Sequence, residues 1–272
     1  MTSDNGLMAG RRGLVMGVAN NHSIAWGIAD KLAGAGADLA FTFQGDAFRR
    51  RVEPLAASVG SDLVMECDVA EPDQLDRVFD TLGERWGGLD FVVHCIAYSD
   101  RDELKGRYVD TSPENFTRTM LISCYSFTAV ARRAAALMND GGSLLTLTYL
   151  GAERVVPNYN VMGVAKAALE ASVRYLAADL GEHAIRVNAI SAGPMRTLAG
   201  SAIGSARYVY KFSQLNAPMR RNAGLDDVGN AGLYLLSDMA GGVTGEVHHV
   251  DCGFHSIAMP RPEEEGRAVR EA

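Results

Sequence analysis

The sequence predicts an α/β fold: a single domain built on a doubly wound parallel sheet of about seven strands, with helices on both faces. Three observations predict it. Apolar strand-like runs alternate strictly with amphipathic helical stretches. No linker-like composition divides the chain, so residues 1–259 read as one domain. The 272 residues are 47% hydrophobic, ample for one large core.

The elements follow in order. A strand is expected over 13–18, then a helix over 23–35, with Ser23 at its N-cap before Ile24-Ala25-Trp26. Strand 38–43 carries Leu39-Ala40-Phe41-Thr42-Phe43 and leads into a helix over 46–58. Strand 62–67 precedes a helix over 72–86 that opens on Pro72, the residue suited to a first helical position. Strand 89–95 is followed by a long helix over 113–138, and strand 143–148 by a helix over 158–180. Strand 186–190, a helix over 226–237 and strand 246–250 complete the alternation, with right-handed crossovers throughout. Residues 193–215 are rich in small side chains and lack a clear period. They leave a strand's carboxyl end, where such sheets bind ligands, so they are a candidate mobile substrate loop. Residues 260–272 are charged and contain proline, and are expected to form a flexible tail.

Bulk properties exclude several functions. A net charge of −7 argues against a nucleic-acid or anionic-membrane surface. Cys67, Cys95, Cys124 and Cys252 are scattered, as expected of reduced thiols in a cytoplasmic protein. His248 and His249 are adjacent, a poor spacing for a helical metal site, and no metal is expected. No apolar run reaches the ~20 residues a membrane helix needs, and residues 1–10 carry no secretory signal.

The loops after the strands carry the chemistry. Gly17 ends the first strand, with Ser23 and Ile24 opening the next helix. A helix N-terminus beside a strand end favours a pyrophosphate, although the second glycine of G-x-G-x-x-G is missing. An ordinary capped loop is the competing reading. Gln44 follows the second strand, where a side chain meets the adenosine ribose; a neutral Gln offers a hydrogen bond but no charge for a 2′-phosphate, which favours NADH. Arg49, Arg50 and Arg51 can be a solvated face. Asp68 and Val69 follow the third strand, where the carboxylate serves either an adenine amino group or the helix start at Glu71-Pro72. Cys95-Ile96-Ala97 ends the fourth. Tyr159 and Lys166 stand seven residues apart, about two helical turns, so they share a face. There the phenol can donate to a small oxygen while the ammonium keeps that phenol acidic. Tyr98 and Lys105 repeat the spacing in a stretch that reads as solvated loop. With four lysines against 22 arginines, a lysine within Ala-Ala-Leu-Glu-Ala-Ser-Val packing is poor surface filler.

Together, Gly17 with Ser23-Ile24-Ala25, Gln44, Asp68-Val69, Tyr149, Tyr159-x6-Lys166 and Ser191-Ala192-Gly193-Pro194-Met195-Arg196-Thr197 resemble the NADH-dependent enoyl-acyl-carrier-protein reductases of bacterial fatty-acid synthesis. That family is a divergent branch of the Rossmann-like short-chain dehydrogenases/reductases, and the likeness spans about residues 10–258. Ordinary members carry Tyr-x3-Lys; here Tyr159 plus four is Gly163. The resemblance implies NAD(H) contacts at Gly17, Ser23, Ile24, Gln44, Asp68, Val69, Ile96 and Lys166, and along Met195, Arg196, Thr197, Leu198 and Ala199. It implies active-site roles for Tyr149, Tyr159 and Lys166, and a substrate contact at Ser99. Ala97 and Ser99 stand where some members have Gly and Ala. Tyr98, Met162, Ile203 and Tyr208 are candidates for an apolar acyl pocket, with core packing the competing reading for Met162. The implied reaction is reduction of the C2=C3 bond of a trans-2-enoyl thioester on acyl carrier protein, in a homotetramer. The C2 proton comes from solvent or through Tyr159. An ordinary carbonyl reductase and a non-catalytic dinucleotide-binding regulator are the rival readings.

Overall fold

The computed structural model describes residues 6–198 and 205–259. Seven strands form one sheet: β1 (Arg12–Met16), β2 (Asp38–Phe43), β3 (Val64–Glu66), β4 (Phe91–His94), β5 (Gly142–Thr148), β6 (Ile185–Ala192) and β7 (Val247–Val250). All neighbouring pairs are parallel, in the order β3-β2-β1-β4-β5-β6-β7. The chain winds outward from β1 through β2 to β3, then returns to β1's other side with β4. That reversal leaves a crevice beyond the carboxyl ends of β1 and β4, with Met16 level with His94.

Successive strand side chains point to opposite faces, and the core divides accordingly. Leu14, Met16, Val92 and Leu144 face one cluster, shared with Phe127, Leu169 and Val173. Val15, Phe91, Val93, Leu145 and Leu147 face the other, shared with Ile28, Leu32, Val228 and Leu235. Helices α1 (Ile24–Gly34), α2 (Asp46–Ser58) and the later Leu225–Leu236 helix cover the second face; α3 (Pro72–Trp86), Ser126–Ala135 and Asn160–Leu180 cover the first. Phe41, Phe91 and Phe127 are fully buried, each stabilising the fold by about 1.5–3 kcal/mol.

Several expected elements differ, among them the strand expected over 62–67, which is the three-residue β3. The helix expected over 113–138 is α4 (Pro113–Met120), a five-residue π-turn (Leu121–Tyr125) and α5 (Ser126–Ala135). The Ser126 hydroxyl donates to the Ile122 carbonyl at 2.6 Å, and the Ser123 hydroxyl reaches across to the Tyr98 backbone, so one local and one long-range bond hold the wider turn. The helix expected from residue 158 starts two residues later, as α6 (Asn160–Leu180), because Asn158 has a left-handed φ of 60° and Tyr159 takes the N-cap position. The aperiodic stretch 193–215 runs into a helix, α7 (Ala206–Asn216); Tyr208 stacks on Phe212 within it, and Phe212 meets Phe254 edge to face, a tertiary contact that period alone does not reveal. The last helix, α8, spans Leu225–Leu236. Ala199, Ile203 and the expected tail at 260–272 lie outside the described residues. Among the described residues, no helix is long and apolar enough to cross a membrane.

The expected first strand, 13–18, stops at Met16 because Gly17 turns the chain at φ +96°. A Cβ there would stand 2.2 Å from the Cys95 carbonyl oxygen, so β1 and β4 approach too closely for any side chain. Gly17→Ala is expected to lower unfolding free energy by about 1–3 kcal/mol, measured by urea denaturation.

Candidate functional site

A cavity of about 980 Å³ opens at the carboxyl edge of the sheet. Its floor is Gly17, Cys95, Ile96, Thr148 and Tyr149, from the ends of β1, β4 and β5. Tyr159, Met162 and Lys166 of the α6 segment form one wall, and residues 192–198, from the last residue of β6 onward, border the cavity as well. Arg207, Val209 and Tyr210 of α7 close the far side.

Lys166 is 6% exposed, and its ammonium donates to the Leu147 carbonyl at 2.7 Å. Burial pushes its pKa down to about 8, since a cation loses water's solvation there. Tyr159 is buried as well, which drives the phenol well above its ordinary range, with Tyr149 and Glu170 adding to the effect. Burial thus works against the acidifying effect expected of the cation and favours the protonated phenol, the form that can donate a hydrogen bond. Tyr149 is pushed up to about 12 by burial. The two tyrosine rings meet edge to face, with centroids 5.1 Å apart and planes at 72°. Their contact requires Gly151, where a Cβ would stand 2.3 Å from the Tyr159 ring. Tyr98 and Lys105 repeat the spacing without the burial: Tyr98 is 42% exposed, and Lys105 pairs with Asp102 at 3.5 Å in the loop.

At the nucleotide end, Ser23 occupies the N-cap position of α1 but does not cap it. Its hydroxyl accepts from the Ala19 and Asn20 amides at 3.0 and 3.1 Å, which folds the loop and leaves Ile24 and Ala25 on the cavity surface. Gln44 and Asp68 lie beyond the cavity, joined by a 2.7 Å bond from Gln44 Nε2 to Asp68 Oδ2. Asp68 Oδ1 accepts from the Ala70 amide at 2.9 Å, shaping the turn before α3; Val69 is buried beside it. Arg49, Arg50 and Arg51 are exposed, and Arg49 pairs with Glu53 at 2.7 Å.

Met195, Arg196, Thr197 and Leu198 line the cavity, with the Arg196 guanidinium 4.7 Å from the centre of the Tyr210 ring. Tyr98, Ser99 and Met162 line it too. Tyr208 does not: it is 60% exposed and stacks on Phe212. Two residues further along α7, about 200° around the helix, Tyr210 faces inward in its place.

Sequence reasoning passed over the supports of this site. The Ser123 hydroxyl in the π-turn both accepts from the Tyr98 amide and donates to the Tyr98 carbonyl, each at 2.9 Å, fixing the segment after β4. A serine amid an apolar helix was its only signal. Buried His94 joins Thr146 and Ser126 at 3.2 and 2.9 Å, and burial pushes it down to about 3, so it stays neutral. Burial also pushes the Cys67 and Cys95 thiols up to about 12, and all four cysteines are free.

The sequence profile described as enoyl-(acyl carrier protein) reductase matches residues 17–255. The chain belongs to this family. It is 64% identical over 259 residues to the enoyl-[acyl-carrier-protein] reductase [NADH] 1 of Rhizobium meliloti (strain 1021), covering 95% of each chain. Among solved structures of the family, that of the reductase from Anaplasma phagocytophilum in complex with NAD superposes with a TM-score of 0.91 at 58% identity, covering 94% of this chain and 97% of that one. The Bacillus cereus reductase with NADP+ and indole naphthyridinone does so at 0.91 and 51% identity, covering 93% and 99%. The parallel seven-stranded sheet is thus the family's fold.

The buried ammonium makes this site pH-sensitive. An unfolded lysine titrates near 10.5, so between about 8 and 10.5 the unfolded chain holds a proton the folded chain lacks. The burial penalty is fully present below pH 8 and is relieved as pH rises through that window. Lys166→Met is therefore expected to be most stabilising, relative to the parent chain, near pH 7, with the difference shrinking toward pH 10 in urea unfolding. Activity of the parent chain is expected to fall with a midpoint near pH 8 as the cation discharges, read from the pH profile of kcat/KM.

Proposed function

We infer that this chain reduces the C2=C3 double bond of trans-2-enoyl-acyl-carrier-protein thioesters at the expense of NADH, in the fatty-acid elongation cycle. The observation that carries the reading is the convergence of Tyr149, Tyr159 and Lys166 on one cavity, with Tyr159 and Lys166 at the x6 spacing.

The residues present fit a dinucleotide. Gly17 lines the cavity without a side chain, and the start of α1, with the Ser23 hydroxyl engaged by the Ala19 and Asn20 amides, presents Ile24 and Ala25 at the cavity surface, where their amides can meet a pyrophosphate. Gly17, Ser23 and Ile24 would hold the pyrophosphate, Gln44 the adenosine ribose, and Asp68 and Val69 the adenine. Ile96, Lys166 and the stretch Met195, Arg196, Thr197, Leu198 and Ala199 would hold the nicotinamide half. Bound NADH supplies a hydride to C3. Neutral Gln44, and Arg49 already engaged by Glu53, support NADH over NADPH.

The Tyr159 hydroxyl donates to the thioester oxygen, where negative charge develops as an enolate two carbons from the hydride-accepting carbon. Lys166 brings a positive charge to the same wall. The raised pKa of Tyr159 favours water as the source of the C2 proton. Tyr149 packs on Tyr159 and shapes the pocket. Ser99, Tyr98 and Met162 would meet the substrate, joined by Val209 and Tyr210 of α7, with residues 193–198 and α7 bordering the acyl chain.

The partner is the acyl carrier protein that delivers the thioester, and the setting is the cytoplasm, in keeping with free thiols. A homotetramer is supported by apolar side chains on the outer faces of the π-turn and α6: Tyr125 is 56% exposed, Tyr175 76%, Leu121 38% and Val164 37%. Light scattering is expected to give the mass of four 29.1 kDa chains, and a 29.1 kDa particle would refute the assembly.

Oxidation of NADH by crotonyl or longer enoyl thioesters, with none by 3-ketoacyl thioesters, is the expected outcome that excludes a carbonyl reductase. Tyr159→Phe is expected to lower kcat by about 10²–10³ while NADH affinity holds. Lys166→Ala is expected to weaken NADH binding by about tenfold or more, measured by fluorescence titration. Normal NADH binding in Lys166→Ala would overturn its assigned role.

A further inference from the structure

Lys166 and Glu170 lie four residues apart on α6, one turn apart on the same face. Both are buried, at 6% and 8% exposure. Lys166 donates to the Leu147 carbonyl at 2.7 Å, and the Thr148 hydroxyl donates to Glu170 Oε1 at 2.6 Å. Consecutive residues at the carboxyl end of β5 are thus gripped by consecutive turns of α6. The next residue is Tyr149, whose ring rests against Tyr159 at the start of α6. The two tyrosines therefore come from the two elements that this grip joins.

We propose that Thr148 and Glu170 form a positioning pair for the reduction, holding the end of β5 against α6 so that the Tyr149 ring fixes the direction of the Tyr159 hydroxyl. The proposal rests on the reading of Tyr159 as the donor to the thioester. Glu170 is a positioning residue: its carboxylate acts through Thr148. A buried carboxyl is a poor choice for packing alone, since burial raises its pKa and an apolar side chain of the same size carries no such penalty. The short bond from Thr148 opposes that shift, as expected if the carboxyl is kept for its acceptor oxygen. The strand residue on the other end of the bond is itself placed functionally, because Thr148 lines the cavity.

Steady-state kinetics on two matched variant pairs test this. Thr148→Val removes the donor with little change of shape, and Thr148→Ser restores it. Glu170→Met removes the acceptor, and Glu170→Gln restores one without the charge. Thr148→Val and Glu170→Met are each expected to lower kcat with an enoyl thioester by about tenfold, with NADH affinity changed less than about twofold. Thr148→Ser and Glu170→Gln are expected to recover to within about threefold of the parent chain, and the double variant Thr148→Val/Glu170→Met to lose no more than either single one. Should Glu170→Met fail to fold, Thr148→Val carries the test alone, its fold checked by thermal melting. An unchanged kcat in Thr148→Val, with only the melting temperature moved, would overturn the proposal. So would a Glu170→Gln variant as impaired as Glu170→Met, which would assign the role to charge. The underlying reading fails separately: full turnover in Tyr159→Phe sinks the site assignment, whereas normal Thr148→Val beside inactive Tyr159→Phe sinks only the positioning pair.

Discussion

The burial of a single ammonium constrains the rest of this site. Lys166 is buried in the cavity wall, where little water reaches it, and its ammonium donates to the Leu147 carbonyl. A charge so placed is tolerated only where the surrounding backbone is held rigidly enough to replace its hydration. The seven-residue register of β5 with β6 supplies that rigidity, running from Gly142 opposite Ile185 to Thr148 opposite Ser191. The lysine's depressed pKa is the residual of that compromise: partial compensation leaves the cation available near neutral pH but readily discharged above it.

The same arrangement divides labour between the two tyrosines. A buried phenol beside another ring and a carboxyl does not ionise readily, so in the proposed reaction it acts as a fixed dipole toward developing charge rather than as a mobile proton. This agrees with the chemistry of an enoyl thioester, in which the oxygen to be stabilised is remote from the carbon receiving hydride. In the proposed reaction, a donor set back by an additional turn, at the N-cap of α6, reaches that oxygen, and the x6 spacing provides the setback. Gly151 is the cost-free residue that lets the second ring close against the first.

Support for the site comes from outside its lining. The π-turn between α4 and α5 exists to turn Ser123 toward the Tyr98 backbone, and His94 braces the same turn through Ser126. Neutral, buried and doubly hydrogen-bonded, His94 is structural, despite being the residue type most often drawn into catalysis. The reactive positions are few, and much of the polar chemistry nearby serves to hold loops at the carboxyl edge of the sheet.

Much was legible in the sequence. Strict alternation of strand and helix determined the sheet class, because period and apolar content are local properties. Gly17, Tyr159 and Lys166 could be chosen by type and spacing, since a turn needing positive φ and two residues on one helix face are also local matters. Tertiary structure decided the rest. Whether Ser23 caps its helix or folds its loop depends on where Ala19 and Asn20 place their amides. That Tyr210 rather than Tyr208 faces the cavity depends on the phase of α7, which is held where its Phe212 meets Phe254 edge to face across the chain. The break in the 113–138 helix and the Thr148–Glu170 bond join residues 25 and 22 positions apart in sequence. Such pairings are fixed by how β5 and the π-turn dock, and the pKa of Lys166 follows from that docking because desolvation is a property of the assembled fold rather than of the lysine.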